Sequence, residues 1–485
     1  MKMHTTNCKK FKGEIENYVN NRNNIFESRI DRVFSLLNFR TNLCRTNIKK
    51  KEGYHPAHLL FILTLLPLLK IDTVHRFCLK QWHHWSSSKK DTFYRFKQAN
   101  YRWRTFMYKV MDKISDTLHF QQTPVEDRYF VIDDTVLAKR GRDIENVSFI
   151  YDHNAGRSVL GFCVVTLGLF TGQNFYPIDF AYRFGKKRHP KSPNEEIGDP
   201  RSISGQRSHE AKYKTKLDLS LQTIQSAFDR GIRAGYVLFD SWYGWPVLIN
   251  AIRKIDKALH VICRLKDSKV LYEYKGKTYR LSELYQKVKS GLKKDTRTGL
   301  LLKRVTVKFP GSDEAVVIVF AKGYQEPDEE PVKGKKKKKE PRWVAFLSTN
   351  TRLHASTIIK KYTKRWTVEV CFKESKQLLG LGKEQSNDFN AQVFATTLSF
   401  LRYNLLNFLN ENEGLDTTGT LFDQLTDESA AISYAQRLWD FFRGLFNVTI
   451  SKIFELFKIE EECSSYFYAL TQTICTSKPF QGCET

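Results

Sequence analysis

Apolar residues recur at helical spacing through the first quarter of the chain. Segments 30–43, 57–69 and 101–118 show this pattern, and each predicts a helix with one face in a core. The three serines at 86–88 predict the N-cap of a further helix. We therefore expect a helical region that extends to about residue 122.

The helix after the three serines is rich in basic and aromatic side chains. Its cations are Lys89, Lys90, Arg95 and Lys97. A basic helix of this kind is a candidate DNA-reading element. A charged surface helix is an equally simple interpretation of the same residues.

From residue 128 the pattern changes to alternating strands and helices. RYFVIDDTVL predicts a buried strand that ends in acids, and SVLGFCVVTLGLF with FYPIDFAYRF predicts a hairpin. A polar loop at 185–207 and a helical segment at 209–230 follow. AGYVLFDSWYG then predicts a strand ending at Asp240, before helix WPVLINAIRKI and strand HVICRLK. This order is typical of an α/β fold, here with carboxylates delivered at two strand ends.

Segment 267–349 alternates with a period of two and predicts a β-rich subdomain inserted into the α/β order. Its uninterrupted lysines, Lys335 to Lys339, predict a mobile loop that favours phosphate without specificity. Helices are expected at 391–410 and 430–457. The predicted domains are a helical region at 1–122, a core formed by 123–266 and 350–410, the β-rich insertion at 267–349, and a helical region at 411–485.

The composition adds a polyanionic partner to this picture. Lys and Arg total 79 against 52 Asp and Glu, a net charge of +27, while 41% of residues are hydrophobic. A folded protein with this charge is expected to bind nucleic acid. The longest apolar run, LLFILTLLPLL, has 11 residues, too few to span a bilayer. Without an apolar signal segment at the N-terminus, the protein is expected to stay in the cytoplasm, where it is made.

The cysteines and histidines favour neither a zinc site nor a disulfide framework. The nine cysteines are scattered without a CxxC spacing, so reduced thiols are expected. His83 and His84 lack partner ligands at suitable spacing and are interpreted as packed or surface histidines.

The segment YTKRWTVEVCFKESK places polar residues on one helical stripe. Tyr362, Arg365, Glu369 and Lys376 stand at offsets of 0, 3, 7 and 14, which fall within an arc of about 60° on a helix. The adjoining arc holds apolar residues predicted to face a core: Val368, Cys371, Phe372 and Leu379. A carboxylate among cations and a phenol suits binding of metal and phosphate, although a solvated face is the simpler interpretation.

Three acids on separate elements form a candidate carboxylate site: Asp134, Asp240 and Glu369. Phosphodiester cleavage by two divalent ions needs carboxylates that converge from separate elements. Among 52 acids many such triples exist. A turn aspartate at Asp134 and a helix-opening aspartate at Asp240 therefore remain alternatives.

The spacing Y-x2-R-x3-E-x6-K, formed by Tyr362, Arg365, Glu369 and Lys376, resembles the signature of IS4-family DDE transposases, the family of the Tn5 transposase. IDDTVL and RWVAFLSTN also resemble stretches of that family. The resemblance covers roughly residues 125–410. It implies a ribonuclease H-like mixed sheet with flanking helices, interrupted by the β-rich insertion.

The resemblance also implies roles for individual residues. Asp134, Asp240 and Glu369 would bind two Mg²⁺ ions, which Mn²⁺ could replace. Asp134 is preferred to Asp133 because Thr135 follows it, so Asp133 would face the opposite side of the strand, into structure.

The same resemblance gives DNA-binding roles to Tyr362, Arg365, Lys376 and Trp343. Trp343 would stack on an extruded base, although a core strand aromatic is about as good an interpretation.

The implied activity is cut-and-paste transposition of an insertion sequence. The enzyme would cut at terminal inverted repeats through a hairpin and join the ends to target DNA, as a homodimer that pairs two ends. An inactive DNA-binding derivative and another ribonuclease H-like nuclease remain the alternatives.

Overall fold

The computed structural model describes residues 28–79, 85–153, 155–188, 199, 201–324, 343–414 and 417–456, with only the backbone at 439, 440 and 443. His83, His84 and the lysine run Lys335 to Lys339, predicted as a mobile loop, lie outside these residues. The chain forms two compact units. One contains the described residues up to Ile114, Leu378–Gly380 and those from Val393 onward. The other contains Ser115–Gln377 and Leu381–Gln392.

The helices share the periodic apolar spacing seen in the sequence. In chain order they are α1 (Arg29–Leu36), α2 (Phe39–Arg45), α3 (Pro56–Leu65), α4 (Val74–Leu79), α5 (Lys90–Gln98), α6 (Trp103–Thr117), α7 (Ile203–Tyr213), α8 (Lys216–Asp229), α9 (Pro246–Ile255), α10 (Leu281–Val288), α11 (Ala355–Tyr362), α12 (Trp366–Gln377), α13 (Phe389–Glu413) and α14 (Thr418–Leu456). The first unit is built from helices, as the N-terminal pattern predicts.

Local chemistry explains where the helices of the first unit begin. Ser28 and Asp31 form a capping box at the start of α1, and Pro56 occupies the first turn of α3. The predicted serine cap of α5 is wrong, since its N-cap residue is Lys89 and no side chain caps it. Ser86 instead hydrogen-bonds His58 Nε2 at 2.9 Å.

The second unit is organised by a sheet of thirteen strands among the described residues. In chain order they are β1 (Tyr129–Ala138), β2 (Ser148–Asp152), β3 (Arg157–Phe170), β4 (Phe175–Arg183), β5 (Lys187–Arg188), β6 (Tyr236–Phe239), β7 (His260–Leu265), β8 (Leu271–Tyr274), β9 (Lys277–Arg280), β10 (Lys293–Lys294), β11 (Leu301–Lys308), β12 (Ala315–Lys322) and β13 (Trp343–Ser348). The fold is mixed α/β, with helices flanking a mixed sheet.

The centre of the sheet joins antiparallel and parallel strands. β3 pairs antiparallel with β4 and with β1, whereas β1, β6 and β7 run parallel. The predicted hairpin is present, and Gly172 in its turn adopts φ 94°, which favours glycine. The strands of segment 267–349 extend the same sheet, because β13 pairs antiparallel with β7.

The apolar run LLFILTLLPLL contributes a buried helix. Every residue of α3 is buried, which suits a helix that is hydrophobic on all sides. Among the described helices, none combines the length and apolar character needed to cross a membrane.

Candidate active site

The neighbouring parallel strands β1 and β6 bring Asp133 and Asp240 side by side. In the pairing of β1 with β6 the last partners are Val131 and Leu238. Two residues further on, the same register puts Asp133 beside Asp240. Laterally adjacent residues of parallel strands point to the same face of a sheet. Asp240 follows the end of β6, as predicted, whereas β1 continues past its acids to Ala138.

Arg365 joins Asp133 to Glu369. Its Nη1 donates to Asp133 Oδ2 at 3.0 Å, and its Nη2 donates to Glu369 Oε1. The guanidinium side chain is only 6% exposed. Arg365 ends a 3-10 turn, Thr363–Arg365, that leads from α11 into α12. The four polar residues predicted on one face of a single helix therefore lie on two helices and the turn between them. The predicted core residues of α12 are buried.

The part-buried acids Asp133 and Asp240 crowd negative charge near the end of β6. Burial raises the pKa of Asp133 well above its usual range, and Asp240 and Asp134 raise it further against the opposing effect of Arg365. Burial likewise raises the pKa of Asp240. Burial alone would lower the pKa of Arg365, but Tyr362, Asp133 and Glu369 outweigh it and raise the pKa. The site therefore favours an additional positive charge.

Asp134 points to the other face of β1. Its Oδ1 accepts a hydrogen bond from Tyr243 Oη at 2.7 Å, and its Oδ2 accepts one from Lys216 Nζ at 2.7 Å and one from Cys163 Sγ at 3.3 Å. Tyr243 and Cys163 are buried. These contacts tie β1 to α8, to β3 and to the loop after Asp240.

The expected orientation of the two adjacent aspartates is therefore wrong. Asp133, and not Asp134, shares a face with the Arg365–Glu369 pair. Asp134 bonds to Tyr243, Lys216 and Cys163 on the opposite face, and the two aspartate side chains are equally exposed at 16%. A strand sends neighbouring side chains to opposite faces, and the tertiary fold packs Arg365 against the face that carries Asp133. Thr135 lies on the Asp133 face and accepts a hydrogen bond from Lys376 Nζ at 2.7 Å.

The remaining candidates for DNA contact differ in accessibility. Lys376 is part-buried, and burial lowers its pKa. Tyr362 is 2% exposed and its ring packs against Phe346 at 4.9 Å. Trp343 is stacked on Tyr285, with ring centroids 4.4 Å apart and planes at 15°. One face of the Trp343 ring is thus already covered, which favours the interpretation of a strand aromatic.

The donor set fits a divalent cation in chemical type. Asp133, Asp240 and Glu369 offer the carboxylate oxygens that Mg²⁺ prefers, and Arg365 contributes one positive charge against these three acids. No group of three or more His, Cys, Asp or Glu in the described part of the chain is close enough to hold a metal ion. Of the three acids, Asp133 and Asp240 lie side by side. Arg365 lies between Asp133 and Glu369 and separates these two carboxylates.

Comparison with known families points to one class of protein. Residues 72–295 match the model described as DDE superfamily endonuclease, and residues 206–405 match the model described as transposase DDE domain. The first match includes Asp133 and Asp240, and the second includes Asp240 and Glu369. Residues 72–405 are thus similar to the DDE domains of endonucleases and transposases.

Wider comparisons add matches among solved structures. No curated protein matches the chain significantly. Seven chains of solved structures match. One belongs to the cryo-EM structure of a piggyBac transposase synaptic complex with hairpin DNA. It is 12% identical, with 83% of this chain and 78% of that chain covered and a TM-score of 0.41.

The sequence interpretation missed three residues of this site. Asp133 was visible as half of the acidic pair, and the choice between the two depended on which face β1 turns to α12. Tyr243 follows Asp240 by three residues, but no spacing distinguished it. Lys216 gave no signal, since only the tertiary fold brings α8 to Asp134.

Proposed function

We propose that the protein is a DNA transposase of an IS4-type insertion sequence, with Asp133, Asp240 and Glu369 as its carboxylate triad. The observation that carries this proposal is the shared face of Asp133 and Asp240, linked to Glu369 through Arg365. The strand order β4–β3–β1–β6–β7, three antiparallel strands followed by parallel ones, supports a ribonuclease H-like core.

The proposed reaction begins with cleavage at the transposon end. Water attacks the scissile phosphorus, the P–O3′ bond breaks, and a 3′-hydroxyl and a 5′-phosphate result. The freed hydroxyl then attacks the opposite strand to form a hairpin. After the hairpin opens, the ends join target DNA by transesterification. The first cleavage and the opening of the hairpin each hydrolyse one phosphodiester, whereas hairpin formation and target joining each exchange one phosphodiester bond for another. No step needs a covalent protein intermediate.

Asp133, Asp240 and Glu369 would hold two Mg²⁺ ions, with Mn²⁺ as a substitute. When bound, such ions activate the attacking oxygen and stabilise charge on the leaving oxygen. Arg365 exchanges a carboxylate for a phosphate oxygen when DNA is present, since a guanidinium pairs with either group. Lys376 lies on the same face and adds a second cation for the phosphate backbone.

The basic helix α5 would contact DNA outside the catalytic site. Its Phe93 and Phe96 are buried, whereas Lys90, Tyr94 and Arg95 are exposed. The buried aromatics anchor the helix while its cations remain available to phosphates. The net charge of +27 favours the same partner.

The C-terminal helix α14 supports the proposal of a homodimer. Its exposed apolar residues include a row with alternating spacings of four and three: Tyr434, Leu438, Phe441, Leu445 and Val448. This heptad spacing is that of a seam between two helices. A second copy of α14 would cover it and pair two transposon ends. Light scattering on size-exclusion fractions should give a dimer for the wild type and a monomer for Phe441→Glu with Leu445→Glu.

The test of the function uses labelled DNA that spans the ends of the element, with Mg²⁺. The wild-type protein should nick at the boundary and form hairpins, and Asp240→Asn and Glu369→Gln should do neither. Tight binding without cleavage by the wild type would favour the inactive DNA-binding derivative. Cleavage without preference for the element ends would favour another nuclease of the same fold.

A further inference from the structure

A cleft of about 430 Å³ opens at the edge of the sheet opposite the carboxylates. It is lined by Arg253, His260, Glu314 and the loop 349–352. Asp240 follows the end of β6, whereas His260 is the first residue of β7, which runs parallel to β6. The cleft and the carboxylates therefore lie at opposite ends of these parallel strands, and the cleft is large enough for a small-molecule ligand.

Cations outnumber acids in and beside this cleft. The acid among the described lining residues, Glu314, already pairs with Arg253 at 3.5 Å and with Lys257. The Arg352 side chain is exposed and makes no ion pair in the part of the chain that the structure describes. Three cations thus share one carboxylate, and this excess of positive charge attracts an anion.

His260 offers an N–H donor at the cleft. Arg253 Nη1 lies 3.4 Å from His260 Nδ1, and because a guanidinium can only donate, Nδ1 is the acceptor. Burial lowers the pKa of His260, and the two arginines that line the cleft lower it further against the opposing effect of Glu314. The ring is therefore neutral at pH 7 with its proton on Nε2, which has no partner among the described residues.

Hydrogen bonds fix the walls of the cleft. In the loop 349–352, Asn350 Nδ2 donates to Tyr236 Oη at 2.9 Å. On α9, Arg253 is 12% exposed and its Nη1 donates to Leu259 O at 3.0 Å, whereas no hydrogen bond to another described residue uses its Nη2. The groups that meet a ligand are therefore ordered in advance, which lowers the entropy cost of binding.

We propose that this cleft binds a phosphomonoester, with Arg253, Arg352 and the Nε2–H of His260 as the donors. A phosphomonoester carries a charge of about −1.5 to −2 at pH 7, which matches the excess of positive charge, and guanidiniums pair with phosphate oxygens. A free nucleoside monophosphate and the 5′-phosphate end of a DNA strand both have this chemistry. The site shares no residue with the carboxylate triad, so the inference goes beyond the proposed function and does not depend on it.

The test titrates the full-length protein with adenosine monophosphate in EDTA and measures binding by calorimetry. Arg352→Gln should weaken binding about tenfold, because it removes a charged hydrogen-bond donor. Since the Arg352 side chain is exposed and only its backbone N–H forms a hydrogen bond, to Asn350 Oδ1 at 3.1 Å, the variant should fold like the wild type. Adenosine, which lacks the phosphate, should bind far more weakly than the monophosphate.

Two variants that each remove one positive charge elsewhere serve as controls. Arg297→Gln, at an exposed position, and Lys376→Gln, on the Asp133 face, should both bind the monophosphate like the wild type. In thermal unfolding the monophosphate should raise the Tm of the wild type and of Arg297→Gln more than that of Arg352→Gln.

A short oligothymidylate with and without a 5′-phosphate identifies the source of the ligand. Tighter binding of the phosphorylated strand than of the monophosphate assigns the cleft to strand ends, and the reverse order assigns it to free nucleotides. Equal affinity of the wild type and Arg352→Gln for the monophosphate would overturn the site. Equal affinity of the wild type for adenosine and its monophosphate would overturn it too, as would a loss of binding in Lys376→Gln that Arg352→Gln does not share.

Discussion

The two faces of β1 carry adjacent aspartates in opposite surroundings. On one face Asp133 lies beside Asp240 and pairs with Arg365, which also holds Glu369. On the other face Asp134 accepts hydrogen bonds from Tyr243, Lys216 and Cys163. On the first face three acids share one guanidinium, whereas on the second face one acid accepts hydrogen bonds from three donors. Residue type alone therefore does not tell which of the two adjacent aspartates faces Arg365 and Glu369.

The largest effect should come from removing the cation of the Asp133 face. Arg365→Gln leaves Asp133 and Glu369 without their guanidinium partner, and breaking a buried ion pair costs about 4 kcal/mol. Urea unfolding should show this loss of stability. Arg76→Gln, which breaks the exposed Arg76–Asp72 pair, is the control and should change stability by less than about 1 kcal/mol. An equal, small effect for both variants would contradict the account of this face.

Asp134→Asn, on the opposite face of β1, should lower the free energy of unfolding less than Arg365→Gln does. The amide is neutral and leaves Lys216 without its anionic partner, so the free energy of unfolding should fall by about 2 kcal/mol. Urea unfolding measures it, with Asp199→Asn as a control at an exposed Arg201 pair. A fully stable variant would show that Asp134 does not hold β1 to its neighbours.

Lys376→Gln should alter DNA binding more than stability. If Lys376 meets a phosphate, the slope of log affinity against log salt should decrease in magnitude by about one. Fluorescence anisotropy at several salt concentrations measures the slope. The control is Lys275→Gln, in the exposed turn between β8 and β9 at the end of the strand order. It should leave the slope unchanged. An unchanged slope in Lys376→Gln would mean that Lys376 does not contact a phosphate and only donates to Thr135.

Tyr243→Phe should produce the smallest change. It removes one hydroxyl donor from Asp134 and keeps the ring, so a loss of about 1 kcal/mol is expected. Urea unfolding measures this loss, and Tyr213→Phe at an exposed position controls for the substitution itself. A loss as large as that of Asp134→Asn would mean that the phenol alone holds the loop after Asp240.

The regular elements were largely predictable from the sequence. Helical spacing gave the helices of the first unit, and buried runs gave β3, β4, β6 and β7, because these patterns arise from local periodicity. Asp240 directly after β6 followed from the same reasoning. The capping of α5 did not, since Ser86 is engaged with His58 from a distant helix.

The choice within the acidic pair could not be predicted from spacing. β1 extends past Asp133 and Asp134 because it pairs with β3 along its whole length, and only tertiary packing decides which face meets α12. The state of Trp343 likewise depends on Tyr285, a partner 58 residues away in sequence. Such contacts join segments that are far apart in the sequence, so local periodicity does not predict them.

The most direct test of the central claim is cleavage of element-end DNA with Mg²⁺ by Asp133→Asn and Asp134→Asn, assayed side by side at a temperature where both are folded. The account predicts a loss of about 10³-fold for Asp133→Asn, since a ligand of the cations is removed. For Asp134→Asn it predicts a loss of about tenfold or less, in keeping with a positioning role. Full activity of Asp133→Asn together with an inactive but folded Asp134→Asn would contradict it.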